Sequence, residues 1–169
     1  MLDRIVKIEN TRNASKLLKY SSNGLEEGLP QKNSCGLYWI YTTYSIAELC
    51  NAEISSEEGV VNIAELASTR KDLKHIIKPK TDGEFWIVYN GIGGSSKGGS
   101  TYYLGSRIIQ EFSDHKKTGS LKILGSSLND LEKWRYSYVI LDKDDYDTNK
   151  INYETGWRLQ YGWPILSKR

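Results

Sequence analysis

The sequence predicts one α/β domain of the α+β type, in which a small, mainly antiparallel sheet of three strands is flanked by helices. Aromatic and β-branched residues cluster in three strand-length runs, at 36–44, 85–91 and 134–141. Apolar residues recur at helical spacing over 102–113 and 151–161, which predicts two flanking helices. With 169 residues, the chain is long enough to bury one core of its own.

Composition narrows the possible function classes. The net charge is only +2, so a nucleic-acid role must rest on local basic patches. Two cysteines, Cys35 and Cys50, and two distant histidines, His75 and His115, argue against a disulfide framework and a structural zinc site. The start does not resemble a signal peptide, and no apolar run approaches the ~18 residues of a spanning helix, so we expect a cytoplasmic protein.

Two segments lie outside the predicted strands. Residues 1–35 form a polar N-terminal extension, in which an amphipathic piece at Ala14–Tyr20 is expected to dock on the core. Residues 45–84 form a helical insertion between the first two strands, and its second helix pair is expected to end at Pro79. Between Arg70 and Lys80 the insertion has one acidic residue, Asp72, and five basic residues, namely Arg70, Lys71, Lys74, Lys78 and Lys80. They indicate either a solvated helix face or a surface that contacts phosphates.

The run GLYWIYTTY at residues 36–44 predicts the central strand. Alternation places Tyr38 and Ile40 on one face and Trp39 and Tyr41 on the other, and both faces have the character of a core. Towards the C-terminus, the pattern predicts a short helix at 126–133 and a charged turn at 142–149.

A polar, glycine-rich loop follows the second predicted strand. Six glycines lie between Gly91 and Gly105, and glycine allows a close backbone approach to a ligand. A dinucleotide fingerprint fits poorly because its third glycine position is Ser96, and a P-loop fits poorly because Gly98 follows Lys97. The loop alone indicates a long connection from strand to helix, with a small-molecule phosphate site as the alternative.

Four polar residues fall in order on the predicted elements: Tyr38, Tyr89, Arg107 and Glu154. In this respect the chain resembles the GIY-YIG nuclease superfamily. Gly36-Leu37-Tyr38 corresponds to the first motif and Tyr89-Asn90-Gly91 to the second. The family's arginine, on the first helix after the second motif, matches Arg107, and its metal-binding glutamate matches Glu154. The resemblance covers residues 36–44 and 85–166.

The sequence departs from the family pattern at several positions. About forty residues separate the two tyrosine strands, which the family usually joins closely. Asn90 replaces an apolar residue, and Ile92 stands where a lysine commonly follows, so Lys97 is the candidate substitute. Glu111 occupies the place, one turn after the arginine, of a frequent His or Tyr. Lys97 and Glu111 are therefore further catalytic candidates. The asparagine often found near the C-terminus is absent after Pro164.

The resemblance implies a metal-dependent DNA endonuclease, a hydrolase of phosphodiester bonds, of the restriction or mobile-element type. Tyr38 would be the general base, and Tyr89 would orient the water or phosphate. Arg107 would clamp a phosphate, and Glu154 would hold Mg²⁺ or Mn²⁺. One carboxylate suffices, because Mg²⁺ keeps most of its waters and often takes only one or two protein carboxylates.

The expected partner is double-stranded DNA, contacted by Arg70, Lys71, Lys74 and Lys78. A palindromic double-strand cutter is expected to act as a homodimer, and a nickase as a monomer. Each site residue also has a structural explanation: the tyrosines pack in strands, and Arg107–Glu111 and Glu154–Arg158 form helical pairs worth about 0.2–0.5 kcal/mol. The alternative function is therefore a non-catalytic nucleic-acid-binding module on the same scaffold.

Overall fold

A computed structural model of the chain describes residues 1–21, 28–94, 102–114 and 118–168. Within these ranges the fold is α+β, with α-helices around one antiparallel sheet of three strands, which confirms the predicted class. The elements in chain order are α1 (Leu2–Ala14), β1 (Cys35–Thr42), α2 (Ile46–Cys50), α3 (Ile63–Arg70), β2 (Trp86–Gly93), α4 (Leu104–Phe112), β3 (Trp134–Leu141) and α5 (Lys143–Tyr161). None of the helices in the described ranges is long and apolar enough to cross a membrane.

Strand β1 lies in the centre of the sheet, as its sequence predicts. It pairs antiparallel with β2 on one side and with β3 on the other, and all eight of its residues are buried. The two tyrosine strands are therefore hydrogen-bonded neighbours. Their register sets Tyr38 opposite Gly91 and Ile40 opposite Tyr89, with an irregularity between Ile40 and Tyr41.

The two faces of the sheet carry two separate cores, and alternation along β1 supplies both. Tyr38 and Ile40 belong to the larger core, which the insertion, α4 and the C-terminal tail complete. Trp39 and Tyr41 belong to the smaller core, which α1 and α5 cover. The Trp39 ring meets the Trp157 ring of α5 edge to face, with ring centroids 5.4 Å apart.

The N-terminal extension begins with helix α1, which was not predicted because most of its residues are polar. Helix α1 buries only Ile5, Ile8 and Glu9, so its apolar stripe is narrow. The amphipathic piece at Ala14–Tyr20 docks on the core as predicted, but in an extended form. Leu18 pairs with Tyr136, each amide donating to the other's carbonyl at 2.8 Å, and so extends the edge of β3.

The predicted charged turn at 142–149 is wrong, because these residues form the first two turns of α5. The Asp142 side chain caps this helix by accepting hydrogen bonds from the amides of Asp144 and Asp145. Acidic residues in a first turn also interact favourably with the helix dipole. Asp145 is in addition bound by Arg4 of α1, with Nη2 and Oδ2 2.6 Å apart.

Two further helix predictions are also wrong. The segment 126–133 holds only a single 3₁₀ turn at Leu131–Lys133. The second helix pair of the insertion is one helix, α3, which ends at Arg70. The apolar residues beyond it pair with the C-terminal tail instead: the Ile77 amide donates to the Trp163 carbonyl at 3.0 Å, and the Trp163 amide donates to the His75 carbonyl at 2.8 Å.

Candidate active site

Tyr38 and Tyr89 lie side by side on one face of the sheet, because the register sets them on diagonal positions of β1 and β2. Their ring centroids are 6.1 Å apart and their planes 37° apart. A Cβ atom at Gly91 would come within 2.6 Å of the Tyr38 ring, so the glycine of the second motif makes room for the tyrosine of the first. The pairing of the strands thus brings the residues of the two predicted motifs into contact.

A buried carboxylate, that of Glu111, accepts a hydrogen bond from the hydroxyl of Tyr38. The Tyr38 hydroxyl donates to Oε1 of Glu111 at 2.6 Å, and the Leu121 amide donates to Oε2 at 2.8 Å. Glu111 lies on α4, and neither it nor Tyr38 has any exposed surface. Arg107, one turn earlier, is the nearby cation, with its Nη2 3.8 Å from Oε1.

Burial is the largest influence on the pKa values of Tyr38, Tyr89 and Glu111. It raises the pKa of Glu111, although Arg107 and the hydroxyls of Tyr38 and Tyr89 oppose the shift. Burial, reinforced by the charge of Glu111, also raises the pKa values of both tyrosines above their ordinary value. At neutral pH both phenols are therefore protonated.

Arg107 links the buried cluster to the surface, since 21% of its side chain is exposed. Gly93 allows the close approach of α4, because a Cβ there would come within 2.6 Å of the Leu104 Cα atom and 3.3 Å of the Arg107 Cβ atom. The guanidinium donates from Nη1 to Oε1 of Gln110 at 2.6 Å. Although burial acts to lower the pKa of Arg107, Tyr38, Glu111 and Tyr89 together raise it.

Glu154 enters the site from α5, paired with Arg158 as the spacing predicts. Nη2 of Arg158 donates to Oε1 of Glu154 at 2.7 Å, but the pair does not lie on a solvated helix surface. Only 16% of the Glu154 side chain and 4% of the Arg158 side chain are exposed. After burial and the charge of Glu111, the charge of Glu154 also contributes to raising the pKa of Tyr89.

Glu154 is the acidic residue of this region that could serve as a ligand to a hard cation. No cluster of three or more His, Cys, Asp or Glu side chains suited to a metal ion occurs in the ranges that the structure describes. A single carboxylate with partial exposure, such as Glu154, is a donor that Mg²⁺ or Mn²⁺ accepts alongside water. A closed zinc site would require four protein ligands, mostly sulfur or nitrogen.

The structure brings four of the predicted site residues together: Tyr38, Tyr89, Arg107 and Glu111 form the cluster described above. Glu154 is joined to this region through Arg158, which donates both to it and to Asn90, the neighbour of Tyr89. Lys97 lies outside the described residues. Of the predicted DNA-binding residues, Lys71, Lys74 and Lys78 are exposed. Arg70 is engaged internally, because its Nη1 donates to the Ile165 and Ser167 carbonyls of the C-terminal tail, and burial lowers its pKa.

Sequence reasoning missed a polar network beneath Glu154. Arg158 also donates from Nε to Oδ1 of Asn90 at 2.9 Å and from Nη2 to the Asn90 carbonyl at 2.7 Å. Ser167 completes it, since its Oγ accepts from the Asn90 amide at 3.0 Å and donates to the Asn90 carbonyl at 3.2 Å. The available signal was an asparagine in the middle of an otherwise apolar strand.

Comparison with known proteins returns no match: no family model, no curated protein and no solved structure is significantly similar to this chain.

Proposed function

We propose that this protein is a metal-dependent DNA endonuclease with a site of the GIY-YIG type. One observation carries the proposal. Tyr38, Tyr89 and Arg107, from β1, β2 and α4, lie in one partly buried cluster with Glu111, and Glu154 of α5 is joined to it through Arg158 and Asn90. The order of Tyr38, Tyr89, Arg107 and Glu154 along the chain and the elements that hold them match the motif pattern of that superfamily.

Arg107 and Tyr89 are the residues that we assign to the substrate phosphate. A guanidinium presents several N–H groups in a fixed plane and binds phosphate oxygens strongly, and Arg107 is the partly exposed cation beside the tyrosines. Tyr89 would orient the attacking water or the phosphate through its hydroxyl. Glu154 would hold Mg²⁺ or Mn²⁺, which when bound would stabilise the negative charge of the phosphoryl group and of the leaving oxygen.

The proton path that we propose runs from water through Tyr38 to Glu111. Because its pKa is raised, Tyr38 does not act as a preformed phenolate. Instead it accepts a proton from the attacking water while its own hydroxyl proton passes to Glu111 along the 2.6 Å hydrogen bond. The raised pKa of Glu111 makes this carboxylate a better base than an exposed one. Tyr38 is fully buried, so its hydroxyl must become accessible when DNA binds.

A cleavage assay tests the proposal directly. Supercoiled plasmid is incubated with the protein and Mg²⁺, and the reaction is repeated with EDTA. Cleavage only in the presence of metal supports the endonuclease, and sequencing of the ends then gives the target site. The ratio of nicked to linear product separates a nickase from a double-strand cutter, for which we expect a homodimer.

The burial of Tyr38 and the ion pair of Glu154 favour one alternative, a nucleic-acid-binding module without catalysis. A gel shift of duplex DNA with no cleavage in either buffer would support that module and exclude the enzyme. Absence of both binding and cleavage would remove both functions and leave a phosphate-binding role for the glycine-rich loop.

A further inference from the structure

Arg158 is a buried cation that joins the proposed metal ligand to the second motif. Its guanidinium donates to Oε1 of Glu154 at 2.7 Å, to the Asn90 carbonyl at 2.7 Å and to Oδ1 of Asn90 at 2.9 Å. Two of these bonds share Nη2, and the third uses Nε. The carboxylate on α5 and the side chain on β2 are therefore fixed relative to each other by one rigid planar group.

Packing alone does not explain this arrangement. Burying a charged guanidinium is costly, and an apolar pair of similar volume often stabilises a core at least as well. Burial indeed lowers the pKa of Arg158, with Glu154 opposing the shift. Trp163 lies over the guanidinium, 5.1 Å from ring centroid to Cζ, and restricts its movement. The protein thus retains a costly buried charge that is fixed in one orientation.

Asn90 is the residue of β2 that binds Arg158. It stands where the second motif normally has an apolar residue, and its oxygen atoms supply two acceptors for Arg158. Its Nδ2 donates in turn to the Tyr38 carbonyl at 3.3 Å. The departure from the family pattern at Asn90 and the buried Arg158 therefore form one unit, which connects Glu154 to the strand that carries Tyr38.

We propose that Arg158 is a positioning residue, which with Asn90 sets the orientation of the Glu154 carboxylate towards the bound metal ion. This inference rests on the proposed function. Groups that hydrogen-bond to a metal-binding carboxylate orient it, and their loss typically weakens metal affinity or activity about 10–100-fold. Arg158 acts through Glu154 and needs no contact with DNA.

Mn²⁺ binding, followed by the electron paramagnetic resonance signal of free Mn²⁺, tests this role without any cleavage. The titration is run with and without a DNA duplex. Arg158→Lys keeps the positive charge but loses the planar fork, and it should weaken Mn²⁺ binding about tenfold or more. Arg12→Lys is the matched control, because it makes the same change in an arginine that donates to a glutamate, Glu9, on the other face of the sheet. It should lower the melting temperature and leave Mn²⁺ affinity unchanged.

A second variant keeps the test informative if Arg158→Lys does not fold. The double change Asn90→Leu with Arg158→Met replaces the buried polar pair with an apolar pair of similar volume, and it should fold with the same weakened Mn²⁺ binding. Wild-type Mn²⁺ affinity in either variant would overturn the positioning role. The proposed function fails separately, if Glu154→Gln binds Mn²⁺ as tightly as the wild type or if the wild type binds none.

Discussion

The two faces of the sheet each place an arginine and a buried glutamate beside a tyrosine of β1, and the two sets differ in how completely they are paired. On the face covered by α1, Arg12 donates to both carboxylate oxygens of Glu9 at 2.7 and 2.8 Å, and to the Tyr41 hydroxyl at 2.7 Å. The Trp157 indole donates to the same carboxylate at 2.7 Å. Every charge in this set has close, well-directed partners.

On the opposite face, Arg107 stands 3.8 Å from Glu111 and makes no such bidentate contact. The consequence appears in the pKa values of the two carboxyl groups. Although burial acts to raise it, the pKa of Glu9 is lowered by hydrogen bonds from Arg12 and Trp157. The pKa of Glu111 is raised, because burial outweighs its partners. The first set has the properties of a structural ion pair, and the incompletely paired second set is the one to which we assign proton transfer.

The largest effect is expected from Glu154→Gln. This change keeps the size of the side chain and removes the charge that a divalent cation requires, so cleavage should be abolished. DNA binding should stay within a few fold of the wild type, or become tighter, because a negative charge near phosphate is lost. Plasmid cleavage and gel shift on the same preparation measure both. Near wild-type cleavage by this variant would rule out the metal-ligand assignment.

The next largest effect is expected from Glu111→Gln, and the equivalent change at Glu9 allows the two faces of the sheet to be compared directly. Glu111→Gln removes the proposed proton acceptor and should reduce the single-turnover cleavage rate by about 10²–10⁴-fold with little change in DNA affinity. Glu9→Gln is its matched control on the other face. It should leave the cleavage rate unchanged and lower the free energy of unfolding by about 1–3 kcal/mol, since it disrupts a satisfied buried network. Equal rate losses in both variants would remove the distinction between the faces.

The sequence predicts the sheet and the site residues of one face, but not Glu9 and Arg12 on the other face or the decisive contacts of either. The strands and the alternation of Tyr38 and Trp39 follow from local patterns, because both faces of β1 are apolar. The start of α5 was mispredicted because its first two turns are polar and depend on a cap at Asp142, which resembles a turn in sequence. The Asn90–Arg158 bond joins residues far apart in the chain, and no local pattern contains it.

The pH dependence of stability should have opposite signs for the two glutamates. The folded-state pKa of Glu111 is raised, so its contribution is fully present below the unfolded pKa and is lost as the pH rises through the folded value. The pKa of Glu9 is lowered, so its contribution is present above the unfolded pKa and is lost as the pH falls through the folded value. Denaturant titrations of the wild type and of both Gln variants across the acidic range measure the two differences. Slopes of the same sign would contradict the contrast between the faces.

The smallest effect, on DNA affinity and its salt dependence, is expected from the exposed lysines of the insertion. Lysines on the side of the sheet covered by α1 again serve as the reference. Lys71, Lys74 and Lys78 are exposed on the segment that pairs with the C-terminal tail, and that tail is bound through Ser167 to Asn90 of the candidate site. Replacing all three lysines with Gln should weaken DNA binding and reduce the slope of log affinity against log salt by roughly 0.9 for each lost phosphate contact.

The reference variant replaces two exposed lysines with Gln: Lys7, which lies on α1, and Lys16, which follows the end of α1. It lowers the net charge in the same direction but lies on the side of the sheet opposite Tyr38. If DNA approaches the face of Tyr38 and Arg107, this variant should keep the wild-type slope of log affinity against log salt. If DNA binding responds only to net charge, each lysine replaced should reduce that slope by the same amount in both variants. An unchanged slope in the triple lysine variant would leave Lys71, Lys74 and Lys78 as a solvated surface, and DNA contact would then have to come from Arg107 and other groups around the tyrosine pair.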